Sequence, residues 1–173
     1  TWLVWRELHT SCAIKNGAWI TIMEILVLIK QVPDDSVEIK LDPATGAPKL
    51  DGVEAVVNAF DTYALEMAKR YIEDNGGNIT VATIGDDDAT AALRTCLAVG
   101  AGKAFLIKDA SFAGSDTTAK AYILSKAVAK IEEINGAKFD IIFCGKEATD
   151  FSKGMVGVQL ASELGVGVAT DVI

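Results

Sequence analysis

The sequence predicts an α/β fold, a doubly wound and mainly parallel sheet with helices on both faces. Three observations carry this prediction: four apolar runs of strand length, helix-period stripes between and after them, and glycines placed just past three of those stripes. Strands that alternate with helices along one chain need crossover connections. Such connections make successive strands parallel and pack the helices above and below them.

The apolar runs are residues 25–29, 79–84, 104–107 and 139–144, each too short for a helix and three of them bounded by Gly, Asp or Pro. Ala64, Leu65, Ala68 and Ile72 share one helical face, as do Ala92, Leu93, Cys96 and Leu97, and then Ile123, Leu124, Ala127, Val128 and Ile131. Gly76, Gly100 and Gly136 follow as stop signals. A small β insertion follows the first strand: 37–41 and 47–50 read as short edge strands joined by a turn over 42–46. The last apolar run leaves through a polar loop, 145–157, into a helix expected to begin near Gly154.

At 173 residues the chain is sized for one domain with its own core. Half of its residues are hydrophobic and 23% charged, a globular composition without an apolar run long enough to span a bilayer. The net charge of −8 argues against a nucleic-acid partner, whose phosphates need clustered Lys and Arg. A single nucleotide remains compatible, because one loop can be locally positive. Cys12, Cys96 and Cys144 show no CxxC spacing, which argues against a disulfide scaffold or zinc site and fits a reducing, cytoplasmic setting. Cys96 and Cys144 fall on apolar positions and read as small buried hydrophobes.

The ends differ from the middle. Residues 1–22 hold Trp2, Trp5 and Trp19, all the tryptophans, and His9, the only histidine, without the layout of a secretory signal. They read as an upstream or artificially appended extension, with a partner-binding segment as the alternative. The run 168–173 begins a further strand, so a C-terminal portion is expected beyond it.

A loop of small and polar residues between a strand and a helix leaves backbone N–H groups free to hold a phosphate. In open α/β sheets ligands sit outside the carboxyl ends of the strands, where the strand order reverses. A strand order of 3-2-1-4 would make the loops after residues 29 and 144 neighbours, so that 30–34, 58–61 and 145–157 line one crevice. The weaker candidates have structural readings. Asp86, Asp87 and Asp88 precede a helix and read as caps in place of a metal cluster. Asp34 and Asp35 are adjacent, on the rim of the insertion, and are not opposed across a cleft. With His9 outside the domain, no Ser-His-Asp or Cys-His arrangement is available.

Several segments occur in the order of one known family: Met-Glu-Ile-Leu-Val-Leu-Ile-Lys-Gln-Val-Pro-Asp at 23–34, Asp51-Gly-Val, Asn-Ala-Phe-Asp-Thr-Tyr-Ala-Leu-Glu at 58–66, Arg-Thr-Cys-Leu-Ala-Val-Gly-Ala at 94–101, and Gly-Lys-Glu-Ala-Thr-Asp at 145–150. Together they resemble the β subunit of electron transfer flavoproteins, from Met23 to the last residue. The resemblance implies a Rossmann-like fold of the adenine nucleotide α-hydrolase type, with 23–173 as a nucleotide-binding domain and 1–22 as a leader outside the family. It also implies AMP or FAD as cofactor, a heterodimer with the α subunit, and electron transfer with flavin dehydrogenases such as acyl-CoA dehydrogenases. Redox chemistry then belongs to the flavin and catalytic side chains are not expected.

Carried over residue by residue, the cofactor contacts fall at four places. These are Leu28; the turn Asn58, Ala59, Phe60 and Asp61; Ile84; and the loop Gly145, Lys146, Glu147, Ala148, Thr149, Asp150, Phe151, Ser152, Lys153, Gly154, Met155 and Val156. Two departures stand out. Ala59 replaces the usual proline, and Phe151, Ser152 and Lys153 replace a small or acidic run, so that Lys153 either pairs with a phosphate or is simply solvated. The alternative is a stress-protein-like ATP or AMP binder with no redox role, which would share the architecture without the paired 30–34 and 58–61 segments and the Gly145 loop.

Overall fold

The structure is a computed structural model. It describes residues 1–5, 11–15 and 18–172, with side chains for 1–4 and 22–172. His9 and the side chains of Trp5, Cys12 and Trp19 therefore lie outside the described residues.

In chain order the elements are β1 (Trp2–Trp5), β2 (Ser11–Lys15), β3 (Ala18–Leu28), β4 (Gln31–Pro33), β5 (Ala55–Val57), α1 (Ala59–Asn75), β6 (Gly77–Ile84), α2 (Thr90–Val99), β7 (Lys103–Ile107), α3 (Thr117–Asn135), β8 (Ile141–Cys144), α4 (Val156–Leu164) and β9 (Gly167–Ala169). The main sheet runs β7-β6-β3-β8-β1-β9, and β2 pairs with the upstream half of β3. The pairs β7·β6, β6·β3 and β3·β8 are parallel. Their order matches the expected 3-2-1-4, so the sheet is doubly wound as the periodicity predicted.

Residue alternation along β3 explains why helices cover both faces. Leu26 and Leu28 belong to a core with Ala121, Leu124, Val128 and Ile131 of α3 and Leu160 and Ala161 of α4. Ile25 and Val27 point the other way, into a core with Ala64, Leu65 and Ala68 of α1 and Ala92, Leu93 and Cys96 of α2. Leu97 was expected on that second stripe but is 39% exposed. One residue past Cys96 it has turned about 100° around the helix, and the stripe ends without it.

Other differences are local. The insertion's strands lie at its base, where β4 and β5 pair antiparallel through Val32 and Val56. The runs 37–41 and 47–50 share a single bridge, Leu41 to Pro48, around a turn in which the Asp42 carboxylate accepts from the Ala44 N–H. Pro48 has no N–H with which to extend a ladder there. The helix expected near Gly154 begins at Val156, because Gly154 takes a φ of +54°, outside helical space. Residues 2–5, read from composition as part of an extension, form β1, antiparallel to both β8 and β9. Trp2 is buried against α4, where a Cβ on Gly157 would stand 2.5 Å from its ring.

The two-faced core predicts an asymmetric response to truncation. Leu26→Ala, at a fully buried position, should lower the stability measured by urea unfolding by about 2–5 kcal/mol. Tyr63→Ala, at a 65% exposed position, should stay within about 0.5 kcal/mol of the parent.

Candidate functional site

The sheet reverses direction between β3 and β8, and one carboxylate ties the two strand ends together there. Asp61, in the first turn of α1, is 6% exposed. Its Oδ2 accepts the Lys30 N–H at 2.8 Å and its Oδ1 accepts the Gly145 N–H at 3.0 Å. Residue 145 must be glycine for this contact, since a Cβ would collide with Asp61 Oδ1 and lie 3.0 Å from the backbone of Phe60 and Asp61. Burial pushes the Asp61 carboxyl up to about 7, against the pull of the Lys30 N–H, Asn58, the Gly145 N–H and the Lys30 charge.

Asn58 adds a second tie. It is 1% exposed; its side-chain amide donates to the Glu147 carbonyl at 2.8 Å and accepts the Thr149 N–H at 3.1 Å. Its own N–H donates to the Lys30 carbonyl. The turn 58–61 therefore fastens both the exit of β3 and the loop after β8. These are the segments the strand order was expected to bring together. Lys30 completes the arrangement with an ion pair to Asp150, at 2.5 and 2.7 Å.

Beneath these ties opens a crevice of about 810 Å³. Its apolar lining comes from the strand ends, Leu28, Ala82, Ile84 and Cys144, and from Leu124 of α3. Asn58 and Asp61 line it too, along with Gly145, Lys146, Glu147, Ala148, Phe151, Lys153, Gly154, Met155 and Val156. Of the positions expected from the sequence, Ala59, Phe60, Thr149, Asp150 and Ser152 lie outside the lining. Thr149 and Asp150 are engaged instead in holding the loop.

The opposite wall was not foreseen. Gly114, Ser115, Asp116, Thr117 and Lys120, around the start of α3, face the same space. The signal was present as Gly-Ser-Asp-Thr ahead of the third helical stripe, a capping sequence at the same edge of the sheet. Asp116 caps α3 by accepting the Ala119 N–H.

Basic side chains gather at the crevice of an otherwise acidic chain: Lys30, Lys120, Lys146 and Lys153 line it, alongside Asp61, Asp116 and Glu147. Lys30 pairs with Asp150, and Lys146 pairs with Asp171, whose carboxylate holds the ammonium above its usual range. Lys120 and Lys153 have no ion pair among the described residues. The α4 N-terminus opens here without a side-chain cap. The Gln159 N–H is bonded to the Met155 carbonyl, so the N–H groups of Val156, Gly157 and Val158 have no carbonyl within the helix.

The remaining sequence candidates have other duties. Asp87 pairs with Lys108 and Asp88 accepts the Ala89 N–H, in a 3₁₀ turn ahead of α2. Among the described residues no group of three His, Cys, Asp or Glu is placed to hold a metal ion. Asp34 accepts the Ser36 N–H, which lowers its pKa. Cys96 and Cys144 are buried free thiols, pushed up by that burial to about 11 and about 12.

The Asp61 tie has a pH signature. Between pH 4 and 7 the unfolded chain has released the Asp61 proton while the folded chain keeps it, so the folded state binds more protons. Stability should fall as pH rises through that window, by up to about 1.4 kcal/mol per pH unit, and level off above it. Asp61→Asn should remove this component in urea titrations run at successive pH values. Gly145→Ala should destabilise at every pH.

Comparison with known proteins places the chain in a family. The electron transfer flavoprotein domain matches residues 49–173. The chain is 45% identical over 150 residues to the electron transfer flavoprotein subunit beta of Thermoanaerobacterium thermosaccharolyticum, covering 87% of this chain and 55% of that one. It is 44% identical over 144 residues to protein FixA of Azorhizobium caulinodans, covering 83% and 50%. It is 38% identical over 151 residues to the caffeyl-CoA reductase-Etf complex subunit CarD of Acetobacterium woodii, covering 87% and 55%. The chain thus spans about half the length of the relatives it matches. Both the ordered motifs and these identities show that the chain belongs to the electron transfer flavoprotein family, among its beta subunits.

Proposed function

We propose that the crevice holds the adenosine phosphate of AMP or of FAD, and that the chain serves as the nucleotide-binding part of an electron carrier. The observation that carries this reading is the uncapped start of α4, facing an apolar pocket lined by Lys120 and Lys153. Phosphate fits such a place: unpaired helix N–H groups donate to its oxygens, and the helix dipole adds roughly 0.3–1 kcal/mol. The base fits the apolar lining of Leu28, Ala82, Ile84 and Leu124.

In this reading the protein's residues bind and orient the group. Val156 and Gly157 present N–H donors, Lys153 supplies charge, and Asp61 with Asn58 keeps the walls in register. A bound flavin supplies the redox chemistry. With an α subunit the complex would pass electrons between flavin dehydrogenases and an acceptor, acting as a carrier without catalytic side chains of its own. A relative named as part of a reductase complex supports such an assembly. No helix among the described residues is long and apolar enough to cross a membrane, and two buried free thiols suit a reducing cytoplasm.

Extraction and chromatography of the ligand from purified protein should yield AMP or FAD; ATP alone would favour a nucleotide-binding module without a redox role. In calorimetric titrations with AMP, Lys153→Met should weaken binding roughly tenfold or more, the cost of a charge-assisted contact. It should also flatten the dependence of affinity on salt.

A further inference from the structure

We propose that Phe151 is an aromatic cover that stacks on the base of the bound nucleotide, and that Lys30 and Asp150 set the ring in place. This rests on the reading of the crevice as an adenine-nucleotide site. Phe151 lines the crevice, yet 68% of the residue is exposed. An exposed phenyl ring gains little from packing, and its position here is fixed by other means.

The Lys30 ammonium stands 5.0 Å from the ring centroid, within cation–π range. That ammonium is itself fixed, bound to both oxygens of Asp150. The Lys30 backbone donates to Asp61 and accepts from Asn58, and Asn58 also grips the loop at Glu147 and Thr149. Directly after the ring, Ser152 takes a φ of +46°, a left-handed conformation that is costly for a residue with a Cβ. The chain therefore holds a strained turn and an ion pair at the mouth of the crevice, and the ring they present has little else to pack on. One face of the ring meets the cation. Most of the residue stays uncovered beside the crevice, surface that a planar partner can cover, and every purine offers a π face.

The test is stopped-flow release of N-methylanthraniloyl-AMP from the full chain, displaced by excess AMP. Phe151→Ala should speed release roughly tenfold or more, with association within about twofold of the parent. Phe151→Tyr should restore slow release, and Asp150→Asn, which frees Lys30, should speed it to a smaller extent. Affinity for ribose 5-phosphate, which lacks the base, should be unchanged in Phe151→Ala. Release at the parental rate in Phe151→Ala would overturn the inference. So would an equal loss of affinity for AMP and ribose 5-phosphate, which would mean that the ring acts only through the loop. A parent protein that binds neither AMP nor FAD would instead overturn the reading of the crevice itself, and the stacking role with it.

Discussion

A buried carboxylate shared between two backbone amides holds the functional end of this sheet together. Asp61 accepts from Lys30 at the exit of β3 and from Gly145 at the exit of β8, the two strands between which the sheet reverses. Strand ends at a reversal diverge toward helices on opposite faces, which is what opens a crevice in doubly wound sheets. The carboxylate spans that divergence from the first turn of α1. Burial raises the cost of its ionised form, and the donors around it lower that cost. Its two amides would otherwise be partly buried donors without partners, a penalty of at most about 1–3 kcal/mol each.

The exits of β3 and β8 on the near side of the crevice are referenced to that tie. Asn58, three residues earlier, repeats it on the loop side, so α1 positions both walls through its entry turn. The glycine at 145 follows from the same constraint, since any side chain there would displace the carboxylate. A strongly acidic chain thereby gathers four lysines around one crevice, and two of them, Lys30 and Lys146, are already neutralised by Asp150 and Asp171. What is left for an anion is Lys120, Lys153 and the open end of α4.

Much of the fold was legible because hydrophobic period reports burial directly. The run at 25–29 is apolar at successive residues, and 79–84 is broken only by the buried Thr80 and Thr83, because both faces of these strands are covered; the stripes of α1 and α3 match their buried faces. The order of motifs revealed the crevice's near side. Two features were not legible. The strand at Trp2–Trp5 is too short for periodicity to detect and pairs with residues about 140 positions away. The far wall at 114–120 shows in the sequence only as a capping sequence for α3, and its place at the crevice follows from the packing of α3 beside α4. Likewise, sequence could assign Thr149 and Asp150 to the loop but could not say that they hold it instead of lining the space.

Amide hydrogen exchange at Lys30 and Gly145 reads the Asp61 tie itself. Both amides should be protected in the parent chain and lose protection together in Asp61→Ala, while amides of β7, at the far side of the sheet, keep theirs. If either amide exchanged at the rate of an open loop in the parent chain, or if Asp61→Ala left both protected, the carboxylate would not be what holds the two strand ends.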